Sequence, residues 1–207
     1  MDTQLVYVTD PLENNWFYSK YFVSGGNARY WTFQVALNLL HQRFDKPIIL
    51  ETGCQREPND IGAGMSTSIF AEYIHRYGGT LVTVDNRSDH LERAQGFVSV
   101  FPEINAHFIL SDSVDFLKKY NDKCDLLYLD SLDYPIVPNK IEEDAAQLHN
   151  LNEFCAIEPV LSDKVLVLLD DNLMPGGGKP RLLKEYLLSR DWLCVLDYQQ
   201  SLWTRKF

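Results

Sequence analysis

The sequence predicts an α/β fold, a mostly parallel sheet with helices on both faces. Three observations carry this. From residue 45 onward, short apolar runs alternate with helix-length amphipathic stretches. Several of the runs are nearly continuous in apolar residues, as strands covered on both faces must be. LVTVD, CDLLYLD and VLVLLDD also each end on an acid, as does the run at Ile48-Ile49-Leu50-Glu51. Four strands therefore deliver a carboxylate to one sheet edge, and in open α/β sheets that edge is the ligand crevice.

The elements follow in order. Residues 1–25 mix polar and aromatic side chains (Trp16, Phe17, Tyr18, Tyr21, Phe22) and end at Gly25-Gly26. Residues 27–44 place Trp31, Val35, Leu37, Leu39 and Leu40 at helical spacing. Together, residues 1–44 are expected to form an N-terminal helical cap on a ligand-binding domain spanning 45–207, the whole being one compact unit. Strands are expected at 47–51, 80–85, 106–110, 124–130 and 164–170. The helices between and after them are expected at 66–76, 89–100, 113–120, 141–159 and 179–190. Two terminal strands, 192–198 and 201–207, meet at Gln199-Gln200.

The most informative stretch is IILETGCQREPNDIGAGMSTSIFA, residues 48–71. A strand ends at Glu51, Gly53 follows, and Gly62 and Gly64 precede Met65-Ser66-Thr67 at the start of an amphipathic helix. Glycines let a ligand approach bare backbone, and a helix N-terminus offers free N–H groups. The acid at the strand end asks for a ligand with hydroxyls or positive charge as well. A dinucleotide enzyme fits poorly, because no compact GxGxxG follows the strand and Glu51 would repel a pyrophosphate.

Charge and composition narrow the partners. The 207 residues are 45% apolar and 23% charged, ordinary for a globular domain with a real core. A formal charge of −10 argues against nucleic acid and against an anionic membrane surface. Cys54, Cys124, Cys155 and Cys194 are well separated with no CxxC pair, so no zinc site is expected. Neither a secretory signal nor an apolar run long enough to span a bilayer is legible, and a cytoplasmic, thiol-reduced protein is expected.

At these residues the chain resembles the class I S-adenosylmethionine-dependent methyltransferases over roughly 45–207. It looks most like the divalent-metal-dependent O-methyltransferase branch that includes the catechol and caffeoyl-CoA enzymes. The resemblance implies a Rossmann-like, seven-stranded, mostly parallel sheet closed by an antiparallel C-terminal hairpin. It implies S-adenosylmethionine as cofactor, bound by Glu51, Gly53, Gly64, Ser66 and Thr67 of the glycine turn. Asp85 would take the ribose hydroxyls, since a carboxylate accepts two hydrogen bonds from a vicinal diol. Asp112 and Ser113 would meet the adenine, and Asp130 would border the same site. The polar interval 55–61 departs from the family as an insertion within the turn.

The same resemblance implies Mg²⁺ held by Asp130, Asp171 and Asn172, an all-oxygen set suited to a hard cation. The family's lysine three residues past the first metal aspartate is replaced here by Asp133. Acid–base candidates on this side are Asp130, Asp133, Lys140 and His149. Lys179 joins them, because the loop Met174-Pro175-Gly176-Gly177-Gly178 could carry it toward substrate as a closing lid or form an ordinary connection. The expected partner is a small-molecule hydroxyl acceptor, and a homodimer stays open. Two alternatives remain: a metal-independent sugar or natural-product methyltransferase, and a noncatalytic protein that binds S-adenosylmethionine.

Overall fold

A computed structural model describes residues 16–21, 28–58 and 65–206. Among these residues, seven strands form one sheet. They are β1 (Ile48–Thr52), β2 (Thr80–Asp85), β3 (Ala106–Leu110), β4 (Leu126–Leu129), β5 (Leu166–Leu169), β6 (Trp192–Asp197) and β7 (Ser201–Arg205). Their order is β3-β2-β1-β4-β5-β7-β6. The first five are parallel, and β7 runs antiparallel to both β5 and β6. This is the expected Rossmann-like sheet with its C-terminal hairpin.

The helices are α1 (Trp16–Tyr21), α2 (Ala28–Arg43), α3 (Ser66–Tyr77), α4 (Ser88–Val98), α5 (Ser113–Leu117), α6 (Lys140–Ile157) and α7 (Arg181–Leu188). Side-chain alternation along the strands divides the core in two. Ile49, Leu81, Leu126, Tyr128 and Leu168 pack with aromatic residues of α1–α3, including Trp16, Phe17, Phe33 and Phe70. Leu50, Val82, Leu127, Leu129 and Leu169 point the other way, onto Leu117, Phe154, Leu183 and Leu187 of α5–α7. In β4 and β5 apolar residues at every position are thus consumed by two layers of helices, which is why these two runs show no polar alternation. Trp16, Phe17 and Tyr21 of α1 share the first of these cores.

Element ends differ from expectation where local chemistry intervenes. The helix expected over 113–120 stops at Leu117, and Asp112 caps its start by accepting a hydrogen bond from the Asp115 N–H. Helix α6 begins at Lys140, with the Asn139 side chain accepting from Ile141 and Glu142. Past Ile157 it tightens into a single 3₁₀ turn, Glu158–Val160, that contains Pro159. Helix α7 starts two residues after Lys179, because Pro180 occupies its cap position. None of the helices among the described residues is long and apolar enough to cross a membrane.

Candidate active site

The strand order changes direction at β1, whose neighbours β2 and β4 lead to opposite halves of the sheet. A crevice at the carboxyl ends of these strands is the expected ligand site of such a sheet. Gly53 forms its floor. Its φ is +77°, and a Cβ there would lie 2.3 Å from the Asp130 carbonyl oxygen. Only glycine lets the chain leave β1 between Val84, which accepts from the Gly53 N–H at 2.8 Å, and Asp130.

Three adjoining cavities run along this edge. The first is lined by Gly53, Asp85, Asn86, Ser113, Leu132 and His149, among others. The second keeps Gly53 and Asp85 and adds Cys54, Arg56, His90, Asp130 and Asp133. In the third, Arg56, Asp130 and Asp133 recur with Arg29, Tyr134, Ile136, Asp171, Met174 and Gln199. Shared lining residues make one trench of the three.

At the first end, Asp85 accepts from the Arg87 N–H at 2.9 Å, and its carboxylate lies 3.4 Å from the Cys54 thiol and the His90 ring. Asp112 serves α5 as a cap and also lines the cavity. Buried Ser113 and half-buried Ser131 place their hydroxyls 3.1 Å and 3.0 Å from His149 Nε2, tying the β3 and β4 loops together. His149 therefore lines the same cavity as Ser113, while Asp130 lines the other two. Glu153 raises the His149 pKa above the ordinary imidazole value, against the effect of burial.

The rest of the glycine-turn motif faces inward. Glu51 is fully buried and accepts hydrogen bonds from Ser66, Thr67 and Thr83. Burial pushes its carboxyl up to about 7, although the three hydroxyls oppose the rise. Glu51, Ser66 and Thr67 thus clamp the end of β1 to the first turn of α3, and none of the three lines the trench cavities. Gly64 lies outside the described residues. The interval after Cys54 begins as a plug: Gln55 is buried and its Oε1 accepts from the Ser68 N–H and hydroxyl. Arg56 then reaches across the trench to Asp133 at 2.8 Å, an exposed ion pair.

The other end holds an acid–cation cluster. Asp170 is fully buried and receives the Arg29 guanidinium at 2.8 and 3.1 Å, the Tyr128 hydroxyl and the Gln200 amide. Asp171, with φ +52°, takes a second Arg29 nitrogen at 2.9 Å. Lys179 Nζ lies 2.5 Å from Asp130 Oδ1 and 3.3 Å from Asp171 Oδ2. Burial acts to raise Asp170, but Arg29, Lys179 and the Tyr128 hydroxyl outweigh it and hold this carboxyl below the ordinary range. Burial, reinforced by Asp170 and Asp171, pushes Asp130 well above that range despite Lys179. The same three carboxylates raise the Lys179 ammonium against the effect of burial.

This geometry corrects the expected metal centre. Asn172 turns away from Asp130 and Asp171: its amide donates to Asp197 Oδ1 at 2.7 Å and to the Tyr198 carbonyl, and its oxygen accepts from Lys184 at 2.9 Å. The amide nitrogen of that side chain is spent on the β6–β7 hairpin and its oxygen on α7. A lysine ammonium sits between the two remaining carboxylates. Among the described residues, no group of three His, Cys, Asp or Glu side chains is arranged to hold a metal ion. These residues do not fit Mg²⁺ as arranged.

Lys179 also departs from expectation. It is 1% exposed and lies behind Asp130 and Asp171, not on the trench wall. Arg29, Tyr128 and Gln200 belong to the cluster without standing out in the sequence. Tyr128 carried a faint signal, since two residues before Asp130 on a strand it shares that residue's face. Arg29 carried none, being 141 residues from the carboxylate it binds.

Comparison with known proteins agrees with the fold. A family model described as a methyltransferase domain matches residues 60–172. No curated protein sequence matches the chain. Among solved structures, the O-methyltransferase NovP is similar at 15% identity and TM-score 0.60, over 88% of this chain and 81% of that one. A TDP-rhamnose 3′-O-methyltransferase of calicheamicin biosynthesis is similar at 13% identity and TM-score 0.58, over 84% and 77%. An rRNA methylase from Streptococcus thermophilus is similar at 10% identity and TM-score 0.56, over 89% and 100%.

Proposed function

The chain belongs to the methyltransferase-domain family, and we propose that it transfers the methyl group of S-adenosylmethionine to a hydroxyl of a small, uncharged or cationic molecule, with Asp130 as proton acceptor. The observation that carries this reading is the position of Asp130. It lines both the cavity that holds Gly53 and Asp85 and the cavity that holds Tyr134, Ile136 and Met174. A donor in the first and an acceptor in the second would meet beside one carboxylate.

The residues at the cofactor end suit such a ligand. Gly53 lines two of the cavities without a side chain and packs directly against the Asp130–Ser131 backbone. Asp85 presents a carboxylate at the end of β2, suited to a ribose diol. Ser111, Asp112, Ser113 and Leu132 offer polar and apolar surface for an adenine. S-adenosylmethionine, when bound, supplies an electrophilic methyl group on a sulfonium.

The chain's own contribution is alignment and proton transfer. An acceptor in the third cavity would rest its apolar body on Ile136 and Met174 and turn a hydroxyl toward Asp130. Asp130 takes the hydroxyl proton as that oxygen becomes the ether. Burial raises the proton affinity of this carboxylate, which suits it to the task. The cations of the cavity, Arg29 and Arg56, are engaged by Asp170, Asp171 and Asp133. With the net charge of −10, this favours an uncharged or cationic acceptor over a polyanion such as rRNA.

The test is transfer of radiolabelled methyl groups to a panel of phenols, neutral deoxysugars and rRNA. Transfer to a phenol or sugar is expected. Asp130→Asn should lower kcat by about 100-fold or more while S-adenosylmethionine affinity stays within about twofold. Transfer to rRNA alone, or an Asp130→Asn variant with undiminished kcat, would overturn the reading.

A further inference from the structure

We propose that the Lys179 ammonium is a resident cation filling the gap between Asp130 and Asp171, the two carboxylates expected to hold a divalent ion, so that the chain works without metal. The inference rests on the methyl-transfer reading above. Lys179 is among the largest fully buried side chains of the molecule, and its Nζ bridges Asp130 Oδ1 at 2.5 Å and Asp171 Oδ2 at 3.3 Å. An ammonium buried alone is unfavourable, whereas one fixed between two carboxylates neutralises their repulsion and holds them apart. A hard divalent ion in that gap would do the same.

The backbone is built to deliver this charge. Gly176, Gly177 and Gly178 all adopt positive φ, at +70°, +91° and +71°. A Cβ on Gly178 would lie 2.2 Å from the Asp171 carbonyl oxygen. That same oxygen accepts from the Lys179 N–H at 3.3 Å, and the Gly178 carbonyl accepts from Gln147 at 3.0 Å. The three glycines therefore form a tight return that brings Lys179 back beneath the acids. Arg29 completes the compensation from the other side through Asp170 and Asp171. Three carboxylates face two fixed cations, and of the three Asp130 and Asp171 line the trench.

If the lysine takes the place of a metal, removing its charge should create a metal site from the oxygens it held. Mn²⁺ titration of the full chain, followed by electron paramagnetic resonance and calorimetry, tests this. Wild type and Lys179→Arg should bind no Mn²⁺ below about 1 mM. Lys179→Ala should bind one Mn²⁺ per chain at least about tenfold more tightly. Its unfolding midpoint should rise by about 5–10 °C with Mn²⁺ at about a hundred times its dissociation constant. If Lys179→Ala does not fold, Lys179→Gln keeps the side-chain length, offers an oxygen, and should show the same gain.

Micromolar Mn²⁺ binding by wild type that is lost in Asp171→Asn would overturn the inference. So would a folded Lys179→Ala or Lys179→Gln variant that gains no Mn²⁺ affinity over wild type. Titration of S-adenosylhomocysteine into the same wild-type sample separates this from the underlying reading. Its failure to bind would count against methyl transfer whatever the Mn²⁺ result.

Discussion

Asp85 at the end of β2 and Asp170 just past β5 reach the same sheet edge by the same device, an apolar strand closed by an acid. Their surroundings are opposite. Asp85 meets a backbone N–H, a thiol and an imidazole, and it lines the trench. Asp170 is sealed from solvent by a guanidinium, a phenol and an amide. The first half of the edge thus keeps its carboxylate available to a ligand, while the second half locks its carboxylates against the protein's own cations. A strand-terminal acid marks the edge, and its partners decide whether it binds a ligand or fixes the fold.

Substitutions at the two ends should therefore separate binding from stability. The largest effect is expected at Asp170. Asp170→Ala leaves Arg29 and the Tyr128 hydroxyl without their buried acceptor and should destabilise the chain by about 3–5 kcal/mol, read from urea unfolding. A loss below about 1 kcal/mol would show that the cluster is not structural.

Glu51 gives a pH-resolved version of the comparison. Its folded pKa of about 7 lies above its ordinary value of 4.5. Its stabilising contribution is therefore fully present below about pH 4.5 and is lost as pH rises through about 7. The loss amounts to about 3 kcal/mol. Glu51→Gln should remove this slope and be the more stable form at pH 8, as urea midpoints across pH 4–8 would show. Parallel pH profiles for the two proteins would mean that the buried carboxyl titrates normally.

Asp85→Ala should do the reverse of Asp170→Ala. Affinity for S-adenosylhomocysteine should fall by about 100-fold, the equivalent of about 2.7 kcal/mol, with the unfolding free energy changed by less than about 1 kcal/mol. A large loss of stability with affinity retained would place Asp85 with the locking residues instead.

How far the sequence could be read follows the same division. Strand and helix positions were legible because burial between two helical layers leaves a strong apolar pattern, and the hairpin Trp192–Asp197 and Ser201–Arg205 lies where it was expected. The acids at the edge were legible as strand ends. Their partners were not, because Arg29 and Lys179 reach them through tertiary folding rather than local spacing. Asn172 shows the consequence. The Asp-Asn pair suggested two ligands for one ion, yet Asp171 and Asn172 serve different networks. The glycine run before Lys179 was visible, but whether it made a mobile lid or a tight return depended on contacts with Asp171 and Gln147.

The most direct measurement is calorimetric titration of S-adenosylmethionine and NAD into wild-type protein, in EDTA and again with excess Mg²⁺. One molecule of S-adenosylmethionine should bind per chain, with an affinity in the micromolar range that is the same in EDTA and Mg²⁺, and NAD should give no heat. Binding of NAD in place of S-adenosylmethionine would contradict the cofactor assignment. S-adenosylmethionine binding that appears only with Mg²⁺ would contradict the division of the edge into a ligand end and a cation-locked end.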